Sequence, residues 1–250
     1  MSHVSLAGLR VLLTRPQGHG CDDWAAAFAA AGAEPVPYPT ITIVPPDSWQ
    51  ALDEALARLD RYDWIVFTSE TTVAFVSSRL PGQRFAPAMR AKIAVVGATT
   101  GRAVENAGGQ VALLPADKRQ EGLALALASV PAGTHILLPI AAGGRTLLAE
   151  SLRAQGCELD VVTVYRTVAN PDLAMPPSFD VATFASPSAL RGYLSRAGRT
   201  SLAGKLVGVI GPTTAEEAGA HGIVPVVAET PDVDSLILAI ARSRTNQGDS

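Results

Sequence analysis

Two short stretches of the chain share a turn that could hold an anion. Ala94–Gly108 reads AVVGATTGRAVENAG, and Gly208–Gly222 reads GVIGPTTAEEAGAHG. Each runs from apolar residues into a glycine, Gly97 or Gly211, then through two threonines into a segment of helical composition. The first turn of a helix presents unpaired N–H groups and the positive end of the helix dipole, which together attract anions. Thr99, Thr100, Thr213 and Thr214 fall in that first turn. A threonine there can also cap the helix and do nothing else. One cap is ordinary; two matched turns suggest a cleft.

Other residues of the same kind accompany them. Ser69 follows VFT and Ser186 follows TFA, so each stands at a strand end that opens a helix. Neither lies in a GxSxG elbow or has a partnered histidine, which argues against a hydrolase triad. Both suit N-capping and hydroxyl contacts to a ligand. AAGGR at Ala141–Arg145 is a glycine-rich turn with a cation attached, through Gly143, Gly144 and Arg145, and could cradle a carboxylate or phosphate. It lacks the spacing and the Lys-Ser/Thr of a P-loop. Arg15, after Thr14 in LLTR, is its counterpart near the N-terminus. An arginine at a strand end commonly pairs with a carboxylate; the symmetry makes ligand binding an equal alternative. Tyr165 lies in an extended segment, where it either packs or, in a reaction, donates a proton or hydrogen bond. There is no carboxylate pair, metal-ligand spacing or nucleotide fingerprint. The residues alone define a binder of an anionic small molecule.

Turns of this kind need strands before them and helices after them. Strands are expected at Arg10–Thr14, Trp64–Thr68, Lys92–Val96, Val111–Leu114, His135–Pro139, Asp180–Phe184, Leu206–Ile210 and Val224–Ala228. Helices are expected at Cys21–Ala31, Ser48–Leu59, Leu123–Ser129, Arg145–Gln155 and Ser235–Arg242. Gly32 and Gly156 suit helix C-termini, and the polar tail SRTNQGDS is expected to fray. The alternation indicates an α/β fold with parallel sheet.

Composition sets the outer bounds. With 250 residues, 48% hydrophobic and 17% charged, one large or two smaller domains are possible, with ample material for buried cores. Apolar runs such as Ile136–Ala142 are too short to span a bilayer. The start, MSHVSLAGLRVLL, lacks the basic residues and long apolar stretch of a secretion signal, so a cytoplasmic location and no membrane partner are expected. Cys21 and Cys157 are expected as free thiols, and His3, His19, His135 and His221 show no ligand spacing with them. No metal is expected. A net charge of −3 without a basic cluster argues against nucleic acid.

The repeat extends past the opening pair. LLTRPQG (Leu12–Gly18) and LLPIAAGG (Leu137–Gly144) each lead to a helix and then to an extended segment, AAGAEPVPYPTITI (Ala30–Ile43) or RAQGCELDVVTVYRT (Arg153–Thr167). VFTSETTVAF at Val66–Phe75 answers TFASPSALRGY at Thr183–Tyr193. Repetition at this length indicates two similar domains rather than a solenoid. If the extended segments are linkers, the chain leaves the first domain early, builds the second whole and returns. The first domain is then 1–35 plus 170–250, the second 44–160, and the linkers are 36–43 and 161–169. Two tandem domains divided near residue 120 are the simpler alternative.

LLTRP, FTS (Phe67–Ser69), VGATT (Val96–Thr100), VYRT (Val164–Thr167), FASPSAL (Phe184–Leu190) and IGPTTA (Ile210–Ala215), in this order and spacing, resemble the uroporphyrinogen-III synthase (HemD) family. The resemblance runs from about Leu9 to Ala241. It implies two flavodoxin-like, HemD-like α/β domains joined by a two-stranded β-ladder hinge. It also implies a lyase of tetrapyrrole (haem and porphyrin) biosynthesis that needs no cofactor or metal. The substrate would be hydroxymethylbilane, supplied by porphobilinogen deaminase. The enzyme would remove water and close the ring with ring D inverted, giving uroporphyrinogen III. Tyr165 matches the linker tyrosine usually proposed as proton donor. Thr14, Arg15, Ser69, Gly97, Thr99 and Thr100 would contact substrate. So would Gly143, Gly144, Arg145, Ser186, Ser188, Thr213 and Thr214. A monomer is implied. Gly101, Glu70 and Thr71 depart from the usual pattern, which affects local contacts only. A hinged two-lobe sensor module that binds a small anion without catalysis is the alternative of another class. A flavodoxin-type FMN protein is less suited, since no aromatic pair flanks a phosphate loop.

Overall fold

A computed structural model describes residues 5–16, 21–85 and 89–248. His3, His19, the Gln17–Gly18 end of LLTRPQG and the last two residues of the tail lie outside the described residues. In chain order the first elements are β1 (Arg10–Leu13), α1 (Cys21–Ala30), β2 (Glu34–Pro37), β3 (Ile41–Val44) and α2 (Gln50–Ala57). Next come β4 (Trp64–Phe67), α3 (Glu70–Ser78), β5 (Lys92–Val95), α4 (Ala98–Asn106), β6 (Val111–Leu113) and α5 (Gln120–Ala126). They are followed by β7 (His135–Ala141), α6 (Leu147–Ala154), β8 (Glu158–Ala169), β9 (Val181–Phe184) and α7 (Pro187–Ala197). The chain ends with β10 (Leu206–Val209), α8 (Pro212–Ala220), β11 (Val226–Val227) and α9 (Val233–Gly248).

The chain divides into two compact units, residues 1–43 with 167–250, and residues 44–166. The first carries a sheet of order β11-β10-β9-β1-β2, all of its pairings parallel. The second carries the order β3-β8-β7-β4-β5-β6, parallel from β8 to β6. Counted along each unit's own chain, the first sheet reads 2-1-3-4-5, the flavodoxin order, and the five parallel strands of the second read 3-2-1-4-5. The label flavodoxin-like therefore describes only the first. Yet β9, β10, β11, β1 and β2 take the same places as β4, β5, β6, β7 and β8. The two sheets are circular permutations of one another.

Alternation along the buried strands sends side chains to helices on both faces. In the first unit, Val11 and Leu13 of β1 pack with Trp24, Phe28, Leu236 and Ile240, while Leu12 packs with Leu190, Tyr193 and Ala218 on the opposite face. In the second, Ile65 and Phe67 of β4 join Val73, Val76 and Val104, and Val66 joins Leu123, Leu127 and Leu148. Cys21 and Cys157 are both buried and free. Among the described residues no helix is long and apolar enough to cross a membrane.

Several expected boundaries move. Val36 and Pro37 are not linker but pair with Leu12 and Leu13, so β2 completes the first sheet before the chain crosses. Residues 161–169 are the later part of the single strand β8, which begins at Glu158. Pro225 offers no N–H, and β11 shrinks to Val226–Val227, with Val224 95% exposed. The helix expected at Leu123–Ser129 starts instead at Gln120 and contains Gly122, where a Cβ would come 2.2 Å from the Asp117 carbonyl oxygen. Glycine here permits close packing and does not break the helix. The last helix runs to Gly248, beyond the expected end at Arg242.

Where the chain leaves and re-enters the first unit, it is tied to α7. The fully buried Thr40 donates its hydroxyl to the Ala189 carbonyl at 2.8 Å. Asn170 donates its backbone N–H to the Thr40 carbonyl at 3.0 Å and its side-chain amide to Pro39 at 2.9 Å. Gly192 lies so close that a Cβ would fall 2.4 Å from the Thr40 oxygen. The substitution Gly192→Ala is expected to cost about 1–3 kcal/mol by overpacking. Chemical denaturation measures this, and unaltered stability would contradict the packing account.

Candidate functional site

In an open parallel sheet, ligands sit beyond the carboxyl ends of the strands, next to the point where strand order reverses. That point lies between β1 and β9 in the first unit and between β7 and β4 in the second. Every turn singled out by sequence stands at these strand ends. Thr14 and Arg15 follow β1, Ser186 and Ser188 follow β9, and the Gly211 turn follows β10. In the second unit Gly143–Arg145 follow β7, Ser69 follows β4 and the Gly97 turn follows β5.

The starts of α3, α4, α7 and α8 are of two kinds, and each unit has one of each. Ser69 is the N-cap of α3, its Oγ accepting the Thr72 N–H at 3.2 Å. Ser186 caps α7 in the same way, accepting the Ala189 N–H at 3.2 Å, and its hydroxyl also meets that of Ser188 at 3.0 Å. By contrast, α4 and α8 start at Gly97 and Gly211, with no side-chain cap and no acidic residue in the first turn. Their N-terminal dipoles are uncompensated. Both glycines have extended backbone that any residue can adopt. Around Gly211 a Cβ would meet nothing within 4 Å, and around Gly97 only the Lys118 Cβ at 3.9 Å. Glycine is not required by strain; it leaves the helix end bare. Lys118, a residue that sequence reading passed over, stands beside the open end of α4.

The threonines do not act as caps. Thr100 and Thr214 are buried beneath their helices, at 4% and 3% exposure, while Thr99 and Thr213 face solvent in the first turn. Thr14 is fully buried too, and donates its hydroxyl to the Thr183 carbonyl at 2.7 Å, while Thr183 donates to Leu12 at 2.9 Å. This reciprocal pair clamps β1 to β9 at the point of reversal and commits the Thr14 hydroxyl to the scaffold.

The cations are accessible. The Arg15 guanidinium carbon lies over the Trp24 ring, 4.9 Å from its centroid. Arg145 meets Glu121 at 3.7 Å with both side chains largely exposed, a loose pair of small worth that a stronger anion can replace. In the turn before Arg145, the Gly144 N–H bonds to the Ala141 carbonyl at 3.0 Å, and Gly143 takes a left-handed backbone (φ 68°) that favours glycine.

Tyr165 is half-buried on β8 against the core of the second unit. The β7–β8 ladder shifts register between Ile140 and Ala141, setting Ala141 opposite Tyr165. The Ala142 N–H then bonds to the Tyr165 carbonyl at 2.9 Å, so the tyrosine backbone is fixed to the glycine-rich turn. Its ring stacks on Phe75 of α3. Phe75 is the second residue passed over, because periodicity marks it as apolar and gives no sign of which ring it meets. Among the described residues no three His, Cys, Asp or Glu side chains are grouped to hold a metal ion.

Fold and site together define a parallel α/β protein of two permuted units, each with a bare helix start one strand away from its strand-order reversal. The model of the family described as uroporphyrinogen-III synthase HemD matches residues 22–238, and the chain belongs to that family. It is 30% identical over 257 residues to the uroporphyrinogen-III synthase of Synechococcus elongatus, covering 96% of this chain and 97% of that one. It is 31% identical over 209 residues to the chloroplastic uroporphyrinogen-III synthase of Oryza sativa, covering 78% and 68%. In fold it is similar to uroporphyrinogen III synthase of Thermus thermophilus, with a TM-score of 0.60, 17% identity and coverage of 96% and 100%. The structure of uroporphyrinogen-III synthetase from Helicobacter pylori gives a TM-score of 0.62 at 15% identity, covering 94% and 99%.

The two kinds of helix start separate in their response to substitution. Ser69→Ala and Ser186→Ala are each expected to destabilise the protein by about 1 kcal/mol through loss of a cap. Thermal and denaturant unfolding measure this, and a change below a few tenths would show that the caps carry no weight.

Proposed function

We infer that the protein closes hydroxymethylbilane to uroporphyrinogen III, with loss of water and inversion of ring D, as a lyase of tetrapyrrole biosynthesis. The match of the family model over residues 22–238 carries this reading. The substrate is a linear tetrapyrrole with eight carboxylates, and it closes unaided to the uninverted type I isomer. Catalysis must therefore favour the folded path through a spiro intermediate over an easier one. That is positioning work, suited to fixed dipoles more than to a strong acid or base.

The bare starts of α4 and α8 are suited to carboxylates. Each such contact is worth about 0.3–1 kcal/mol where exposed, so several must act together. The exposed Thr99 and Thr213 hydroxyls, with Arg15 and Arg145, would add to them, and both units would bind the same substrate. Gly143 and Gly144 would let a carboxylate approach the backbone beside Arg145. The Ser69 and Ser186 hydroxyls, taken up as caps, would hold α3 and α7 in place, with Ser188 supporting Ser186. Thr14, Thr100 and Thr214 would shape the turns from beneath. A two-stranded hinge formed by β3 and the end of β8 would let the units close on the bilane. Protein of net charge −3 receives a strongly anionic substrate, so local cations must outweigh the whole.

Loss of the ring A hydroxyl as water needs a proton at the departing oxygen, and Tyr165 would supply it. The substrate would come from porphobilinogen deaminase, to a cytoplasmic and monomeric enzyme needing no cofactor.

The test is an isomer assay: hydroxymethylbilane is generated in situ, the protein is added, and the oxidised uroporphyrins are separated by chromatography. Type III must rise in proportion to protein; type I alone would contradict the reading. Tyr165→Phe is expected to lower turnover about tenfold, less than the ~10²–10⁴-fold of general acids elsewhere, because the bilane closes unaided. Unaltered turnover would remove Tyr165 from the mechanism. Gly211→Ser is expected to stabilise α8 by a few tenths of a kcal/mol yet raise KM roughly two- to fivefold by closing its bare end. An unaltered KM would count against that site.

A further inference from the structure

We propose that Phe75 is a positioning residue that aims the Tyr165 phenol. The inference rests on the reading of Tyr165 as proton donor given above. The two rings lie with centroids 5.6 Å apart and planes 17° apart. Near-parallel, offset stacking of this kind is a directional contact, unlike simple apolar packing. Among the described residues none hydrogen-bonds the Tyr165 hydroxyl, so the ring contact is what orients it.

The backbone and the ring of Tyr165 are held from different sides. The register shift opposite Ala141 and the Ala142 N–H bond fix where the side chain starts. Irregular pairing of this sort re-aims a side chain at a sheet margin. Phe75 then decides the direction the ring takes from that start.

Phe75 is itself braced. Trp49 also packs on it, with centroids 6.0 Å apart and planes at 33°. Arg79 lies over Trp49, 5.2 Å from the ring centroid, and is clamped by Asp53 through two bonds of 2.9 and 2.7 Å. The start of α3, which carries Phe75, is fixed by the Ser69 cap. On the same helix Val73 and Val76 are 1% and 0% exposed and do the core packing, whereas Phe75 is only partly buried, as is Tyr165. The stack thus stands at the margin of the core, where a phenol can be both held and reached.

The test compares wild type, Phe75→Leu, Phe75→Met, Phe75→Tyr, Tyr165→Phe and the double variant Phe75→Leu/Tyr165→Phe. The readouts are kcat, KM, isomer ratio and thermal midpoint on bilane generated in situ. Removing the ring in Phe75→Leu or Phe75→Met is expected to lower kcat roughly two- to tenfold with KM little altered, the range that a stacked pair supports. Phe75→Tyr keeps the ring and is expected to keep kcat. In the Tyr165→Phe background, Phe75→Leu is expected to have no further effect on kcat, because there is no hydroxyl left to aim. Phe75→Met, with its flexible side chain, covers the case in which Phe75→Leu does not fold. Wild-type kcat in both ringless variants, or an undiminished loss in the Tyr165→Phe background, would overturn the proposal. Failure of wild type to make the type III isomer, or full turnover by Tyr165→Phe alone, would instead overturn the reading on which it rests.

Discussion

A helix that starts at the end of a strand leaves its first N–H groups without partners, and the rest of this architecture follows from how they are satisfied. Four such starts stand at or one strand away from the strand-order reversals. Two are closed by serine, at Ser69 and Ser186, and two are led by glycine, at Gly97 and Gly211. A closed start gives the helix stability and a fixed direction. A bare one keeps its dipole for something else. Glu70 in the first turn of α3 strengthens the contrast, since α4 has no acid there. The same local physics thus supplies both scaffold and proposed binding surface, in adjacent strands of one sheet.

Along the chain the motifs recur in the same order, but the permutation shares them out differently: the turn after β1 joins those after β9 and β10 in the first unit, and the turn after β7 joins those after β4 and β5 in the second. The first unit closes its sheet with strands from both ends of the chain, and β1 must be joined to β9 across a long separation. The Thr14–Thr183 pair does this with two buried hydroxyl-to-carbonyl bonds. In the second unit the equivalent neighbours, β7 and β4, are nearer in sequence, and the glycine turn after β7 is free of such a clamp. The two halves therefore differ where the chain needs them to: a rigid reversal point in one, and an arginine-bearing turn tied to Tyr165 in the other.

Much of this was legible in the sequence. Eight strand positions and the repeat of the Gly-Thr-Thr turns follow from apolar runs and glycine placement, because buried parallel strands and strand-to-helix turns leave strong local marks. Which residues cap was not, since the serines and the threonines were equally cap candidates, and only geometry separates a cap from an open end. Thr14 read as a ligand hydroxyl because burial of a threonine beside an arginine leaves no trace in pattern. Phe75 and Lys118 were missed for the opposite reason: their partners, Tyr165 and Gly97, are distant in sequence and carry no covarying signal within one chain. The start of α5 at Gln120 was missed, since a glycine needed for close approach, Gly122, leaves no mark in sequence that a helix runs through it.

The central claim is that the glycine-led helix starts hold carboxylates while the serine-capped ones do not. Amide chemical-shift titration with the type III product reads this directly. The account predicts selective, saturable shifts at Thr99, Thr100, Thr213 and Thr214, with the Thr72 and Ala189 amides little moved in their caps. Saturable binding that leaves the Gly97 and Gly211 turns unperturbed, or that shifts the capped amides instead, would contradict it.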